Sequence, residues 1–336
     1  MLLQKTQLSA LLNKLSESKT VYVPTTCEGQ SRFMPYQTDS ELEFGNAKSD
    51  ISPKELLFPQ SEVLYTYSQL GEDIDIEEVK NDTDQVIFGL RSCDAFSIEA
   101  LDKVFLTRGY VDNPYYERRV NTLIVALACT KPDRACFCTS FGIDPRYAPS
   151  ADIQLVDCGA FYKLSSTNEK GAQSLQEWST FLEKDEALAE TPQNDDICSE
   201  FKVVIDINNL DESINALFED LYWDDLSMKC LNCGTCAFVC PTCHCFDMSQ
   251  ENKGNGGYRF RTWDSCMFSD YTLMAGNHNP RPSKKARLRN RFMHKLSFYN
   301  ERYGFSMCSG CGRCVEMCPV GIDISRVIED VLEVEA

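Results

Sequence analysis

No stretch of this 336-residue chain stays apolar for the roughly twenty residues that a bilayer-spanning helix needs. Its start shows no charged-then-apolar leader with a small-residue cleavage site, so the sequence reads as that of a cytoplasmic protein in a reducing compartment. Positive charge is in deficit: 33 lysines and arginines stand against 51 acidic residues, for a formal net charge of -18. Such a balance argues against general nucleic-acid binding. Signatures of substrate chemistry are also missing. There is no glycine fingerprint for NAD or FAD, no His-Glu-x-x-His and no nucleophile elbow. Lys253-Gly254-Asn255-Gly256-Gly257 lacks a strand–helix frame and reads as a flexible turn, not a phosphate loop.

Cysteine is what the chain has in quantity, 18 residues in all. Two copies of C-x2-C-x2-C-x3-C-P organise it: Cys230, Cys233, Cys236 and Cys240-Pro241, then Cys308, Cys311, Cys314 and Cys318-Pro319. A [4Fe–4S] cubane offers one thiolate position per iron. Three cysteines at this spacing reach three irons from one loop, and the fourth, before proline, ligates the other cluster of a two-cluster ferredoxin fold. The expected sets are therefore Cys230, Cys233, Cys236 and Cys318 for one cluster, and Cys308, Cys311, Cys314 and Cys240 for the other. Zinc prefers two separated C-x2-C pairs, and disulfide frameworks belong to short secreted chains. Both fit this pattern poorly. Glycines at 234, 310 and 312 let the loop backbone pass close to a cluster.

The length suggests about two domains. Residues 1–222 read as an α/β domain. Leu8, Leu11, Leu12 and Leu15 are spaced as one helical face. Short β-like runs occupy 19–25 and 61–67, with an aperiodic polar stretch between them. Val86 to Leu90 and Thr122 to Ala128 are continuous apolar runs, expected as buried parallel strands joined by a helical crossover from Ser97 to Val104. Ile153–Val156 and Phe161–Leu164 read as a hairpin around Asp157-Cys158-Gly159. A helix-biased polar excursion covers 165–200, and Phe201–Ile205 reads as a further strand. Ile214, Leu217, Phe218 and Leu221 predict one helix leading into the first motif. Residues 223–336 read as a mainly α-helical two-cluster ferredoxin-like domain, closed by a helix carrying Ile324, Val327, Ile328, Val331 and Leu332. The fold class expected is α+β.

Three groups of residues leave alternatives open. Cys93 and Cys129 each end an apolar run, at the strand ends where open α/β sheets bind ligands, and Cys136-Phe137-Cys138 follows closely. These four thiols hold a third cluster, or are buried free cysteines. Cys243, Cys245 and Cys266 cap a further cluster, pack against the first two, or are ordinary core thiols. The basic run from Arg281 to Arg302 is a solvated helix face, or a patch that docks a partner or raises a cluster potential. Cys27, Cys158 and Cys198 join no constellation.

The chain resembles the iron–sulfur beta subunit of cytosolic sulfhydrogenases, nickel–iron hydrogenases that also reduce sulfur, and is equally similar to the dicluster iron–sulfur subunit of anaerobic sulfite reductases. The resemblance covers nearly its whole length. It rests on Ser92-Cys93-Asp94, Cys129, Cys136-Phe137-Cys138, Cys240-Pro241-Thr242-Cys243-His244-Cys245, Trp263-Asp264-Ser265-Cys266, Arg287-Leu288-Arg289-Asn290-Arg291 and the second cluster motif. Gly276-Asn277-His278-Asn279-Pro280-Arg281-Pro282 departs from the family's Gly-Gly-His-Asn-Phe-Arg-Pro. The resemblance implies an electron-transfer subunit of an anaerobic oxidoreductase complex. Its partners would be a flavin subunit that handles NAD(P)H and a catalytic hydrogenase, sulfur reductase or sulfite reductase subunit. It also implies [4Fe–4S] clusters, a third one on Cys93, Cys129, Cys136 and Cys138, and no substrate site. An open-iron cluster near Cys243, Cys245 and Cys266 with its own reductase chemistry is the competing reading.

Overall fold

The computed structural model describes residues 1–45, 48–107, 109–184 and 197–333. Strand β1 (Leu2–Gln4) leads into α1 (Leu8–Ser16), whose four leucines are all buried. β2 (Thr20–Cys27) and β3 (Gln30–Pro35) form a hairpin, the second strand lying in the stretch that shows no period in the sequence. β4 (Ser61–Leu70) and β5 (Asp73–Glu78) form another. β6 (Gln85–Leu90), α2 (Ser92–Leu106), α3 (Asn113–Val120) and β7 (Thr122–Leu127) make the crossover unit, with β6 and β7 parallel. β8 (Ile153–Asp157) and β9 (Phe161–Ser166) close the expected hairpin, and α4 (Glu169–Glu177) follows. Within the 165–200 excursion, residues 185–196 lie outside the described residues.

These strands build a seven-stranded sheet in the order β1-β9-β8-β7-β6-β2-β3. Every residue of β6 and β7 is buried. Val86, Phe88, Leu123 and Val125 pack towards the leucines of α1, whereas Ile87, Leu90, Ile124 and Ala126 pack towards Ala95, Ile98 and Leu101 of α2. Burial on both faces is why these two strands read as unbroken apolar runs.

The second half adds α5 (Leu210–Ala216), α6 (Tyr222–Lys229), α7 (Thr235–Phe238), the hairpin β10 (Phe246–Lys253) and β11 (Gly256–Trp263), then α8 (Lys284–Met293). One π-helical turn, His294–Phe298, joins α8 to α9 (Tyr299–Tyr303), and α10 (Arg313–Glu316) and α11 (Ile324–Glu333) end the described chain. Ile324, Val327, Ile328 and Val331 of α11 pack with Trp223, Leu288, Phe292 and Leu296.

Two expectations are corrected. The stripe from Ile214 to Leu221 does not make one helix: Trp223 donates its indole N–H to the Leu217 carbonyl (2.7 Å), the chain turns there, and Leu221 is left exposed. Phe201–Ile205 is no strand, because the Ile205 amide donates to Ser140 Oγ (2.9 Å) and not to a ladder. The β10–β11 hairpin is an addition. It pairs through β11 with β4, giving a four-stranded sheet β10-β11-β4-β5 that draws strands from both sides of residue 222. Arg261 of β11 fixes this join. It is buried against Glu62 of β4 and forms an ion pair with Asp112 (2.5 Å), just ahead of α3. The fold is α+β.

Candidate iron–sulfur sites

Cys230 and Cys233 sit on the turn from α6 into α7, where Asn232 and Gly234 take left-handed φ of 56° and 74°, and Cys236 follows within α7. Cys318 reaches the same cavity, whose other walls include Met267, Leu288, Phe292 and Ile324. Cys240 leaves the first motif and lies among Cys308, Cys311 and Cys314. The structure thus brings the proline-linked cysteine of each motif to the other motif's loop. Backbone amides point at the sulfurs: Asn232 N at Cys230 Sγ (3.3 Å), Gly310 N at Cys308 Sγ (3.5 Å) and Ile322 N at Cys318 Sγ (3.2 Å). Such N–H···S bonds are one of the levers that set a cluster potential.

The four N-terminal cysteines also converge. Cys93 occupies the first turn of α2, directly after β6, and Cys129 follows β7. Arg91 ties the two strand ends together, donating through Nη1 to the carbonyls of Leu127 (3.2 Å) and Ala128 (2.7 Å). Cys136 and Cys138 fold back from their loop, and all four thiols line one cavity with Lys48, Phe201 and Cys311. Burial pushes the Cys136 thiol up to about 11 and raises Cys93, Cys129 and Cys138 as well. Thiols in this setting stay protonated until a metal displaces the proton. Among the described residues no group of three or more His, Cys, Asp or Glu is set to hold a single metal ion. Rings of thiols around cavities suit a cubane, in which each thiolate takes its own iron.

The loop of the second motif presses directly on the N-terminal one. The Phe137 amide donates to the Gly310 carbonyl (2.8 Å). A Cβ on Gly310 would lie 2.6 Å from the backbone of Cys138, and one on Gly312 would lie 2.3 Å from the Ala135 carbonyl oxygen. These glycines are therefore required by a neighbouring backbone as well as by their own positive φ of 58° and 77°. Gly310→Ala is expected to lose roughly 1–3 kcal/mol of stability, the range for forced overpacking, together with iron. Anaerobic denaturant titration with iron analysis measures both, and an unshifted midpoint would mean that the loops have room to part.

Buried cations surround the thiols, some of them members of the basic run and others, such as Lys48 and Lys54, not expected from the sequence. Arg313, inside the second motif, makes a two-pronged ion pair with Asp94 beside Cys93, at 2.6 and 2.9 Å. Lys48 bridges Asp133 and Glu316, each at 2.9 Å. Burial alone would lower its pKa, but Cys136 and the two carboxylates raise it. Burial brings Lys54 down to about 8, and it donates to the Cys243 carbonyl (2.9 Å). In the basic run, Arg287, Arg291 and Lys295 are buried and turned inward, so a solvated face does not describe them. Lys295 donates to Cys240 Sγ (3.2 Å). Arg313 and Asp94 carry a signal, being adjacent to predicted ligands. Lys48 and Lys54 have none, because only the fold brings them there.

Residues 229–322 match the 4Fe-4S dicluster domain family. Over 329 residues, 96% of this chain and 95% of the relative, the sequence is 31% identical to sulfhydrogenase 2 subunit beta of Pyrococcus furiosus. The chain belongs to the sulfhydrogenase beta-subunit family. No solved structure matches it. As a member of this family it is an iron–sulfur electron-transfer subunit that carries [4Fe–4S] clusters. No helix among the described residues is long and apolar enough to cross a membrane. Cys27, Cys158 and Cys198 line none of the thiol cavities, and His278 is exposed.

Proposed function

We propose that the chain relays electrons through three [4Fe–4S] clusters: one on Cys230, Cys233, Cys236 and Cys318, one on Cys308, Cys311, Cys314 and Cys240, and one on Cys93, Cys129, Cys136 and Cys138. The observation that carries this reading is contiguity. Cys314 of the second motif lines the cavity of the first, and Cys311 lines the cavity of the N-terminal thiols. The three thiol rings therefore stand in a row with the second motif in the middle. The clusters supply one-electron chemistry. The protein supplies their spacing, the amides aimed at sulfur and the buried cations that offset thiolate charge.

Residues 1–222 and 223–336 each present one end of the row to a partner. The family supports a flavin subunit that handles NAD(P)H at one end and a catalytic subunit at the other, a hydrogenase or a sulfur or sulfite reductase. Anaerobic co-purification identifies both partners. Tight flavin binding is not expected of the isolated chain, and stoichiometric flavin in it would end the relay reading.

The N-terminal site is tested in the full-length protein, since its wall includes Cys311. Cys138→Ser should lower the iron content by about four per chain while the paramagnetic signals of the other two reduced clusters persist. Unchanged iron would make these four thiols structural.

A further inference from the structure

The loop between the two motifs holds three cysteines that the relay does not use, and the fold gathers them. Cys243 and Cys245 come just before β10, and Cys266 just after β11. The hairpin sets Phe246 opposite Trp263, and the Asp264 amide donates to the Cys245 carbonyl (2.9 Å), so its base clamps the two ends of the segment together. All three side chains line one chamber of about 690 Å³. Cys245 and Cys266 lie side by side, and Cys243 contacts Cys240 of the second-motif site.

Charge points the same way. Lys54, Arg291 and Lys295 border these thiols and are only 4%, 4% and 2% exposed. None has a carboxylate partner among the described residues. Lys54 donates to the carbonyls of Cys243 (2.9 Å) and Phe238 (3.5 Å). Lys295 donates to Cys240 Sγ and to Thr242 Oγ1 (2.9 Å). Arg291 donates to the Cys236 carbonyl (3.2 Å), and its buried Nε has no partner. Buried cations need compensating negative charge. Arg291 borders Cys236 and Cys314, so the two motif clusters share in supplying it, whereas Lys54 faces Cys243, Cys240 and Cys245. Further out, the chamber is walled by Arg281, Arg302 and His294, with Glu301 beside them. A single metal ion does not suit the site, since no such group of ligands converges among the described residues.

We propose that Cys243, Cys245 and Cys266 hold a fourth [4Fe–4S] cluster with three protein thiolates, whose remaining iron faces the chamber and takes a small anion or thiolate from solvent. Through Cys243 and Cys240 it adjoins the second-motif cluster, so it branches from the middle of the row. At this branch an external ligand meets the electron path. Of the chain's 18 cysteines, this leaves Cys27, Cys158 and Cys198, the three that line none of the cavities.

The test uses the full-length protein, reconstituted anaerobically with iron and sulfide. Cys245→Ala should hold about four fewer irons than wild type. The comparison of the two proteins is the readout, so the result stands apart from that of Cys138→Ser, which reports on the N-terminal site alone. Ferricyanide should take one electron from the fourth cluster and release its thiolate-free iron as Fe²⁺. The paramagnetic signal of a three-iron cluster should then appear in wild type and in Cys138→Ser, but not in Cys245→Ala. Added cyanide should change the spectrum of one reduced cluster in wild type. Equal iron in wild type and Cys245→Ala overturns the proposal, as does a Cys245–Cys266 disulfide found by mass spectrometry after oxidation without loss of iron. Should Cys245→Ala fail to fold, the oxidation and cyanide experiments on wild type decide alone.

Discussion

Cys318→Ser is expected to empty the site of Cys230, Cys233 and Cys236 while the site of Cys308, Cys311 and Cys314 keeps its cluster; Cys240→Ser should do the reverse. Each change should remove about four irons per chain, and paramagnetic resonance on the anaerobically reduced variants tells which cluster has gone. The expectation rests on where the two sulfurs lie, Cys318 in the cavity of the first motif and Cys240 among the cysteines of the second. The two variants should also differ in stability. Cys318 lies in an apolar cavity with an amide on its sulfur, whereas Cys240 accepts from the buried Lys295 ammonium at 3.2 Å. Serine at 240 leaves that cation without its thiolate, so it should unfold at lower denaturant than Cys318→Ser. Loss confined to the mutated motif's own cluster would mean that each motif closes on itself.

Asp94→Ala should be among the most damaging changes that touch no sulfur. Asp94 and Arg313 are each about 1% exposed and joined by two short bonds. Arg313 also donates through Nε to the Ser49 carbonyl (2.8 Å). Removing the carboxylate strands a guanidinium that cannot lose its proton. Breaking a buried pair on one side costs about 3–5 kcal/mol, and added salt should not restore it, since buried charges are screened little. Replacing both partners with apolar residues of similar volume should be milder than either single change. Anaerobic guanidinium titration of the three variants measures this. A loss for Asp94→Ala below about 1 kcal/mol, the level of an exposed pair, would mean that water reaches the site.

The sequence made the parts with local causes legible. β6 and β7 announce themselves because burial on both faces forces unbroken apolar runs, and α1 and α11 because one-sided burial imposes a helical period. The eight motif cysteines stand out because their spacing is the one that a pair of cubanes calls for. Contacts between distant segments left little trace. β10 and β11 alternate polar and apolar residues only weakly, because β10 is mostly exposed and β11 is half-buried along its length, so neither strand buries one face cleanly. The break after Ala216 depends on an indole several residues away, and the missing strand at Phe201–Ile205 on the Ser140 hydroxyl. Lys48 and Lys54 look like surface residues until the tertiary fold encloses them. The basic run left open a solvated face or a patch that docks a partner or raises a cluster potential, and its members divide by position: Arg287, Arg291 and Lys295 follow one another at four-residue steps, which is one face of the helix and its π-turn, and that face is buried.

The close contact of Gly310 with Cys138 also bears on the order in which the molecule is made. Part of the wall of the N-terminal thiol cavity, Cys311, comes from the second motif, well over a hundred residues after the last of its four thiols. On the ribosome, Cys93, Cys129, Cys136 and Cys138 emerge while that part of the wall is still unmade. On the three-cluster reading, iron–sulfur delivery to the N-terminal site would follow synthesis of the second motif, and a product that ends before Cys308 would lack that part of the cavity wall.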